Sequence, residues 1–422
     1  MRKKMSVPAL AGLLVGPVLG SGILLLPPLV LQGARALSFE AWALTVLLMG
    51  LFAAVTAALS LRFPGDGGLT EAVGRAFGPA FRDVCGCLLA GAVCFGPAAV
   101  LLTAGQYLAG ESLLSGRALA GALFLALPAF FVIRRRAAFV GHLALWASSL
   151  IAVVLLAASL YVLFHPAEPL LLDRPSPLQF GKVVMLLFWA VIGWEILGNY
   201  SAEIETPERT IPKAAGLAFA AVAAVDLAVA AALPRSPATE GALPSMTDLL
   251  RPLFGLLATP LLLLLGTLLC LCTYVMIVGG VARLVASLAE RGRLPRFLAV
   301  RNEGGVPARA ASALTAMHVV QIGAVALGLV DVADLIGVAN GLFLLNALLV
   351  VAAGARLFPS PAARWGSLAL APGFLLLFAM ADRLSLLAAV AALLVSLAGG
   401  GKEGSPLLGG GWAEAEGVRG GD

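Results

Sequence analysis

An all-α polytopic membrane protein of about 12 spanning helices is the fold class this sequence predicts, and three observations predict it. Apolar residues make up 60% of the 422 and charged residues only 12%, and mean hydropathy is +1.00. The apolar residues gather into stretches of roughly 20, the length that crosses a hydrocarbon core. The basic residues crowd into alternate connecting segments, as expected of loops facing the cytoplasm.

The stretches run, in order, over 7–31, 39–61, 83–109, 117–133, 140–164, 182–203, 212–233, 248–288, 308–330, 332–357, 363–380 and 382–398. The first follows a basic start, and its apolar run exceeds the usual signal-peptide core, so it reads as an uncleaved span. Within it Gly20-Ser21-Gly22 breaks the helical pattern. An unwound turn at bilayer depth survives only against protein or beside a polar cavity, so something polar is expected there. The third span carries Cys85, Cys87 and Cys94, and the eighth carries Cys270 and Cys272. These read as small buried hydrophobes, and no metal ligand set is assigned. The sixth holds Gly193 and Glu195 near its centre, and the seventh holds Asp226. The fourth, eleventh and twelfth are short, and the ninth and tenth nearly merge at Asp331.

Charge tests the span count independently. With the N-terminus inside, 21 of the 28 Lys and Arg fall on inner segments. Seven (Arg35, Arg117, Arg174, Lys182, Arg235, Arg251 and Arg383) fall outside. Both termini are therefore expected in the cytoplasm, and the pI near 9.1 reports topology rather than a nucleic-acid partner. Residues 1–398 read as one transmembrane domain and the glycine-rich 399–422 as a disordered cytoplasmic tail.

Transporters often consist of two inverted halves whose first helices both break near the midplane. Here the first and sixth spans are the broken ones. That pairing gives repeat one over 7–164, repeat two over 182–357, and two extra helices over 363–398.

Several motifs carry a family resemblance. Gly20-Ser21-Gly22-Ile23 followed by Pro27 resembles the G-[ST]-G-[IV] break of the amino acid-polyamine-organocation transporters. Phe63-Pro64-Gly65-Asp66-Gly67-Gly68 with Ala76-Phe77-Gly78 is similar to that family's segment between spans two and three. Phe188-Trp189-Ala190-Val191-Ile192-Gly193-Trp194-Glu195, then Glu203, Pro207, Arg209, Ile211-Pro212 and Ala214, is the longest match. Ala282-Arg283-Leu284, Leu294-Pro295 and Val306-Pro307 extend it to spans one to ten. Within the family the chain is most similar to the bacterial methionine and branched-chain amino-acid exporters, a likeness that includes Ala339-Asn340-Gly341-Leu342-Phe343.

The resemblance implies an inverted five-plus-five repeat in the inner membrane and an amino-acid substrate. Physical chemistry says how such a substrate would be held. If the first helix breaks at Gly20 to Gly22, the N–H groups freed at the start of its outer half present a positive end to a carboxylate. Gly20 and Gly22 let the backbone approach, Ser21 can add a hydroxyl, and Ile23 completes the expected binding turn. Carbonyls around Phe188, Trp189, Ile192 and Gly193 can accept from an ammonium. By resemblance, Trp189 stacks on the substrate or closes over it, and Glu195 serves gating and proton sensing. Asp226, His142 and His318 have no motif behind them, and both histidines sit alone near a membrane boundary.

Coupling is less legible. The fifth span has no lysine where some proton-coupled relatives carry one, and Thr273 is a candidate for a sodium site or for a bond to its own backbone. Glu203, Glu205 and Glu208 beside Arg209 and Lys213, facing the arginines of 291–309, are the expected inner gate.

The expected partners are thus an amino acid and the lipid bilayer, with protons as the coupling candidate and no cofactor. The apolar wall of Leu24, Phe188, Val191 and Ile192 favours neutral, hydrophobic substrates, with efflux as the expected direction; an uptake symporter or exchanger for a cationic amino acid or a polyamine is the alternative. A membrane enzyme would need a convergent nucleophile or metal cluster, and no H-E-x-x-H or G-x-S-x-G occurs. A channel would show a filter or charged ring, and a receptor or structural role would leave two matched helix breaks unexplained.

Overall fold

The computed structural model describes residues 5–20, 22–168, 170, 172–191, 193–204, 206–238, 242–379 and 390. Ser21, Ile192, Glu205, the twelfth expected span apart from Val390, and the expected tail lie outside these residues, as does the side chain of Trp189. Among the described residues the protein is all helical, with one isolated bridge between Met5 and Ile204 and no strand.

The helices, in chain order, are α1 Val7–Leu19, α2 Gly22–Ala34, α3 Ser38–Arg62, α4 Leu69–Phe77, α5 Pro79–Ala109 and α6 Gly116–Ile133. They continue with α7 Ala137–Phe164, α8 Pro177–Leu187, α9 Ile196–Tyr200, α10 Pro207–Ala232 and α11 Met246–Phe254. The last are α12 Ala258–Glu290, α13 Ala308–Ala326, α14 Val332–Leu357, α15 Pro361–Leu368 and α16 Leu370–Ala379. Seven helical stretches among the described residues are long and apolar enough to cross a membrane: Val7–Arg62, Pro79–Ala109, Gly116–Ile133, Ala137–Phe164, Pro207–Arg235, Met246–Glu290 and Val332–Leu357.

The structure redraws two expected boundaries, in the eighth and eleventh stretches. The eighth stretch, expected as one run, divides where Gly255 takes φ +56, a conformation that ends a helix; α11 is a short piece capped by Ser245, and α12 starts at Ala258. The ninth and tenth stretches are two helices, as expected: α13 ends at Ala326, and a turn at Gly328, φ +68, precedes Asp331, which opens α14. The eleventh splits at Ala369.

Contacts between connections fix the chain's alternation. At one end the Met5 N–H donates to the Glu203 carbonyl at 2.9 Å, Arg301 pairs with Asp66 at 2.7 Å, and Asn302 donates to the Arg134 carbonyl at 2.9 Å. Arg62 reaches the Leu357 carbonyl there at 3.3 Å. At the other end Ala36 donates to the Asp173 carbonyl at 3.3 Å and Ala167 to the Arg235 carbonyl at 3.0 Å. We call these the basic end and the far end.

Lipid tails are as apolar as leucine, so close backbone approach holds the helices together. Gly12 of α1 shows it: a Cβ there would stand 2.5 Å from Leu145 Cα on α7. Gly141 returns the fit, since its Cβ would meet the Ala9 carbonyl oxygen at 2.5 Å. Helix α1 is thereby wedged against α7, α10 and α12, and its own sequence breaks it in the middle of the bundle.

Candidate substrate site at the two helix breaks

The first break lies where the sequence places it. Helix α1 ends at Leu19, Gly20 turns out of it with φ +47 and ψ −168, and α2 restarts at Gly22. The Gly20 N–H still closes on the Gly16 carbonyl at 2.9 Å, so it is not a freed donor, and the donors without a helical partner are those at the start of α2. Thr273 of α12 braces it, its hydroxyl lying 3.2 Å from the Gly16 carbonyl and 2.9 Å from the Leu269 carbonyl. The hydroxyl therefore bonds its own backbone, as expected of a membrane threonine, and also bonds the broken helix.

The second break begins earlier than its glycine. Helix α8 tightens into a 3-10 turn at Phe188–Ala190, and the chain resumes regular winding only at Ile196. Gly193 sits at φ +123. Its missing Cβ matters twice, since it would also stand 3.2 Å from Pro17 Cβ and 3.3 Å from Val18 Cγ2. The second break is thus packed against the last turn of α1, just before the first break, and glycine allows that approach.

Glu195 is buried, 1% exposed, and its Oε2 accepts the Gly193 N–H at 2.9 Å. Its Oε1 has no hydrogen-bond partner, and no basic side chain pairs with it among the described residues. The carboxyl closes the unwound loop onto itself. Trp194 beside it is fully buried.

The remaining expected residues divide. Ile23, Leu24 and Val191 are buried beside the breaks. The Phe188 ring turns away, into an edge-to-face cluster with Phe374 of α16 (centroids 5.3 Å apart), which itself meets Phe52 of α3 at 5.5 Å. The Phe188 carbonyl accepts from Val191 N–H at 2.9 Å, which corrects the expectation of a freed acceptor there: it is already bonded within the turn. Asp226 is buried on α10 with no ion-pair partner among the described residues. His142 is exposed and bonds its own turn through the Ala138 carbonyl. His318 corrects its expectation: it is fully buried between α5, α12 and α13, with both ring nitrogens engaged.

A cavity of about 410 Å³ reaches the first break from the far end. Gly22, Leu25, Leu26 and Leu29 of α2 face Ala99, Val100 and Thr103 of α5 across it. Lys182, Met185 and Leu186 of α8 and Ile336 and Asn340 of α14 complete it. Its volume suits a small molecule; among the described residues Lys182 is its one charged lining residue and Gly22 the one expected binding residue that lines it. Sequence reasoning used Asn340 only as a likeness and passed over Thr103 and Lys182 as lining residues, because membership of a cavity wall depends on helix rotation.

The basic end is closed. Arg283 of α12, 2% exposed, donates to Glu203 at 2.6 Å and to the Gly279 carbonyl at 2.7 Å, and it lies 4.4 Å over the Tyr200 ring. Asn199 donates to the Asp66 carbonyl, and Ser201 accepts from the Gly65 N–H at 2.9 Å. The expected gate is corrected in its pairing. The loop arginines Arg291, Arg293 and Arg301 find Glu71, Asp83 and Asp66 on the segment around α4, and Glu203 pairs with Arg283 instead. A second cavity, about 840 Å³, lies at this end among Arg62, Asp66, Glu71, Arg75, Arg82 and Glu290 and touches neither break.

Known proteins share this layout of sequence. A family profile described as amino acid permease matches residues 5–400. The L-methionine/branched-chain amino acid exporter YjeH of Escherichia coli (strain K12) is 28% identical over 394 residues, 90% of this chain and 92% of the relative. The uncharacterized amino acid permease YecA of Bacillus subtilis (strain 168) is 24% identical over 357 residues, 82% of this chain and 83% of the relative. With a match running through both breaks, the cavity wall and the closed basic end, the chain belongs to the amino acid permease family and is a membrane transporter rather than an enzyme.

Proposed function

We propose that this permease moves neutral, hydrophobic amino acids across the inner membrane by alternating access, with export as the net direction. The observation that carries the reading is the packing of Gly193, in the second break, on Pro17 and Val18 in the last turn of α1, just before the first break, whose far side at Gly22 lines the cavity. The N-terminus of α2 offers N–H groups to the α-carboxylate, and the 188–193 turn offers carbonyls to the ammonium. A zwitterion is then held without a buried fixed charge. The side chain of the guest meets Leu25, Leu26, Val100 and Met185, while Lys182 repels cationic guests.

The architecture we propose has 12 spans in a single domain over 1–398, with repeat one at 7–164, repeat two at 182–357 and two further helices at 363–398. The basic end faces the cytoplasm with both termini. The conformation is open toward the far end and shut at the basic end. The exporter named among the relatives supports methionine and branched-chain substrates and the outward direction. Glu195, closing the second break through Gly193, is the residue through which protons act on the cycle.

Counterflow of labelled methionine into proteoliposomes, competed by a panel of amino acids with and without pH and sodium gradients, tests this. Leucine, isoleucine and valine should compete and arginine and lysine should not. Movement of no amino acid by purified protein under any gradient defeats the reading.

A further inference from the structure

We propose that His318 is the positioning residue that fixes the bend of α5 and, through it, one wall of the substrate cavity. Pro97 lies inside α5, where the proline ring clashes with the carbonyl four residues earlier and so bends a helix. It has no N–H, so the Val93 carbonyl four residues earlier loses its helical donor, and in a span no water replaces it. His318 Nε2 lies 2.8 Å from that oxygen.

A carbonyl only accepts, so Nε2 carries the proton. In the neutral ring Nδ1 is then the acceptor, and it receives the Tyr274 O–H at 2.9 Å. Three residues on, Gln321 donates to the next carbonyl, Cys94, at 2.9 Å. Helix α13 thus supplies two donors to the two carbonyls at the bend.

Both ends of this network lead to the substrate path. The residues just past the bend, Ala99, Val100 and Thr103, line the cavity. Gly96 packs so closely on α14 that a Cβ would stand 3.1 Å from Ala339 Cβ, next to the lining residue Asn340. Tyr274 adjoins Thr273, which holds the end of α1 through the Gly16 carbonyl. The functional half of the proposal rests on the transport reading above; the bond at the bend does not.

The test is a double-mutant cycle between His318 and Pro97, read as methionine counterflow per folded protein and as thermal stability in detergent. His318→Leu should raise the half-saturating methionine concentration about tenfold, the scale of one lost buried hydrogen bond, with the maximal rate unchanged. Pro97→Ala restores a backbone N–H for Val93, so the added cost of His318→Leu should largely vanish in the Pro97→Ala background. His318→Gln, whose amide nitrogen reaches the Nε2 position, should behave as wild type, whereas His318→Asn, whose nitrogen falls at Nδ1, should not. If His318→Leu does not fold, the Gln and Asn pair decides. An unchanged half-saturation in His318→Leu, strict additivity with Pro97→Ala, or Asn outperforming Gln overturns the proposal. Should wild type move no amino acid, the transport reading fails, and the thermal cycle still reports whether His318 serves the bend.

Discussion

Replacing Gly20 by alanine should cripple transport without unfolding the protein. At φ +47 and ψ −168 the residue occupies backbone space that side-chain-bearing residues reach at a cost of about 1–3 kcal/mol. The new Cβ would also stand 2.7 Å from the Pro17 carbonyl oxygen, a backbone atom held inside α1 that cannot swing aside. Thr273 Oγ1, at 3.5 Å, is an ordinary contact and adds nothing. A penalty of that size, confined to the break, lowers the population of the native turn by about 5- to 150-fold. The assay is methionine counterflow normalised to folded protein, with Gly216→Ala as control. Gly216 lies on α10 and an added Cβ there meets nothing within 4 Å, so it should transport as wild type. If Gly20→Ala matches Gly216→Ala in half-saturation and rate, the break is not where the substrate is held.

Three further outcomes follow from the same geometry. Thr273→Val should lose the bond to the Gly16 carbonyl, about 1 kcal/mol, and raise half-saturation about fivefold, while Thr273→Ser keeps the hydroxyl and should stay near wild type. Glu203→Gln strands a guanidinium that is 2% exposed; because Glu203 is itself 35% exposed, the cost should sit at about 3 kcal/mol or below, seen as a lower melting temperature and faster hydrogen exchange over 196–203. Phe374→Ala opens a hole between Phe52 and Phe188, a truncation that costs about 3–5 kcal/mol in a packed core, and should lower the melting temperature more than Thr273→Val does.

What the sequence revealed, and what it hid, follows from the range of the interactions. The first break was legible because Gly20-Ser21-Gly22 is a local signal in an otherwise apolar run. The second was legible from Gly193, although the unwinding starts at Phe188. Apolar stretches located the helices and the joint before Asp331, but not the one at Gly255, where a single positive φ decides. Side-chain direction was hidden: nothing in the local pattern says that Phe188 turns toward Phe374. Ion-pair partners were hidden for the same reason, since Arg291, Arg293 and Arg301 meet carboxylates more than 200 residues earlier in the chain. His318 looked like a boundary histidine because its partner is a carbonyl orphaned by a proline on another helix.

The most direct test of the central claim is equilibrium binding of labelled methionine to the purified permease, displaced by analogues that each lack one charged group. Carboxylate at the start of α2 and ammonium at the 188–193 turn are both required by the account. Leucine should therefore displace methionine, whereas methioninol, without the carboxylate, and 4-methylthiobutanoate, without the ammonium, should not. Displacement by methioninol as strong as by methionine itself would contradict it.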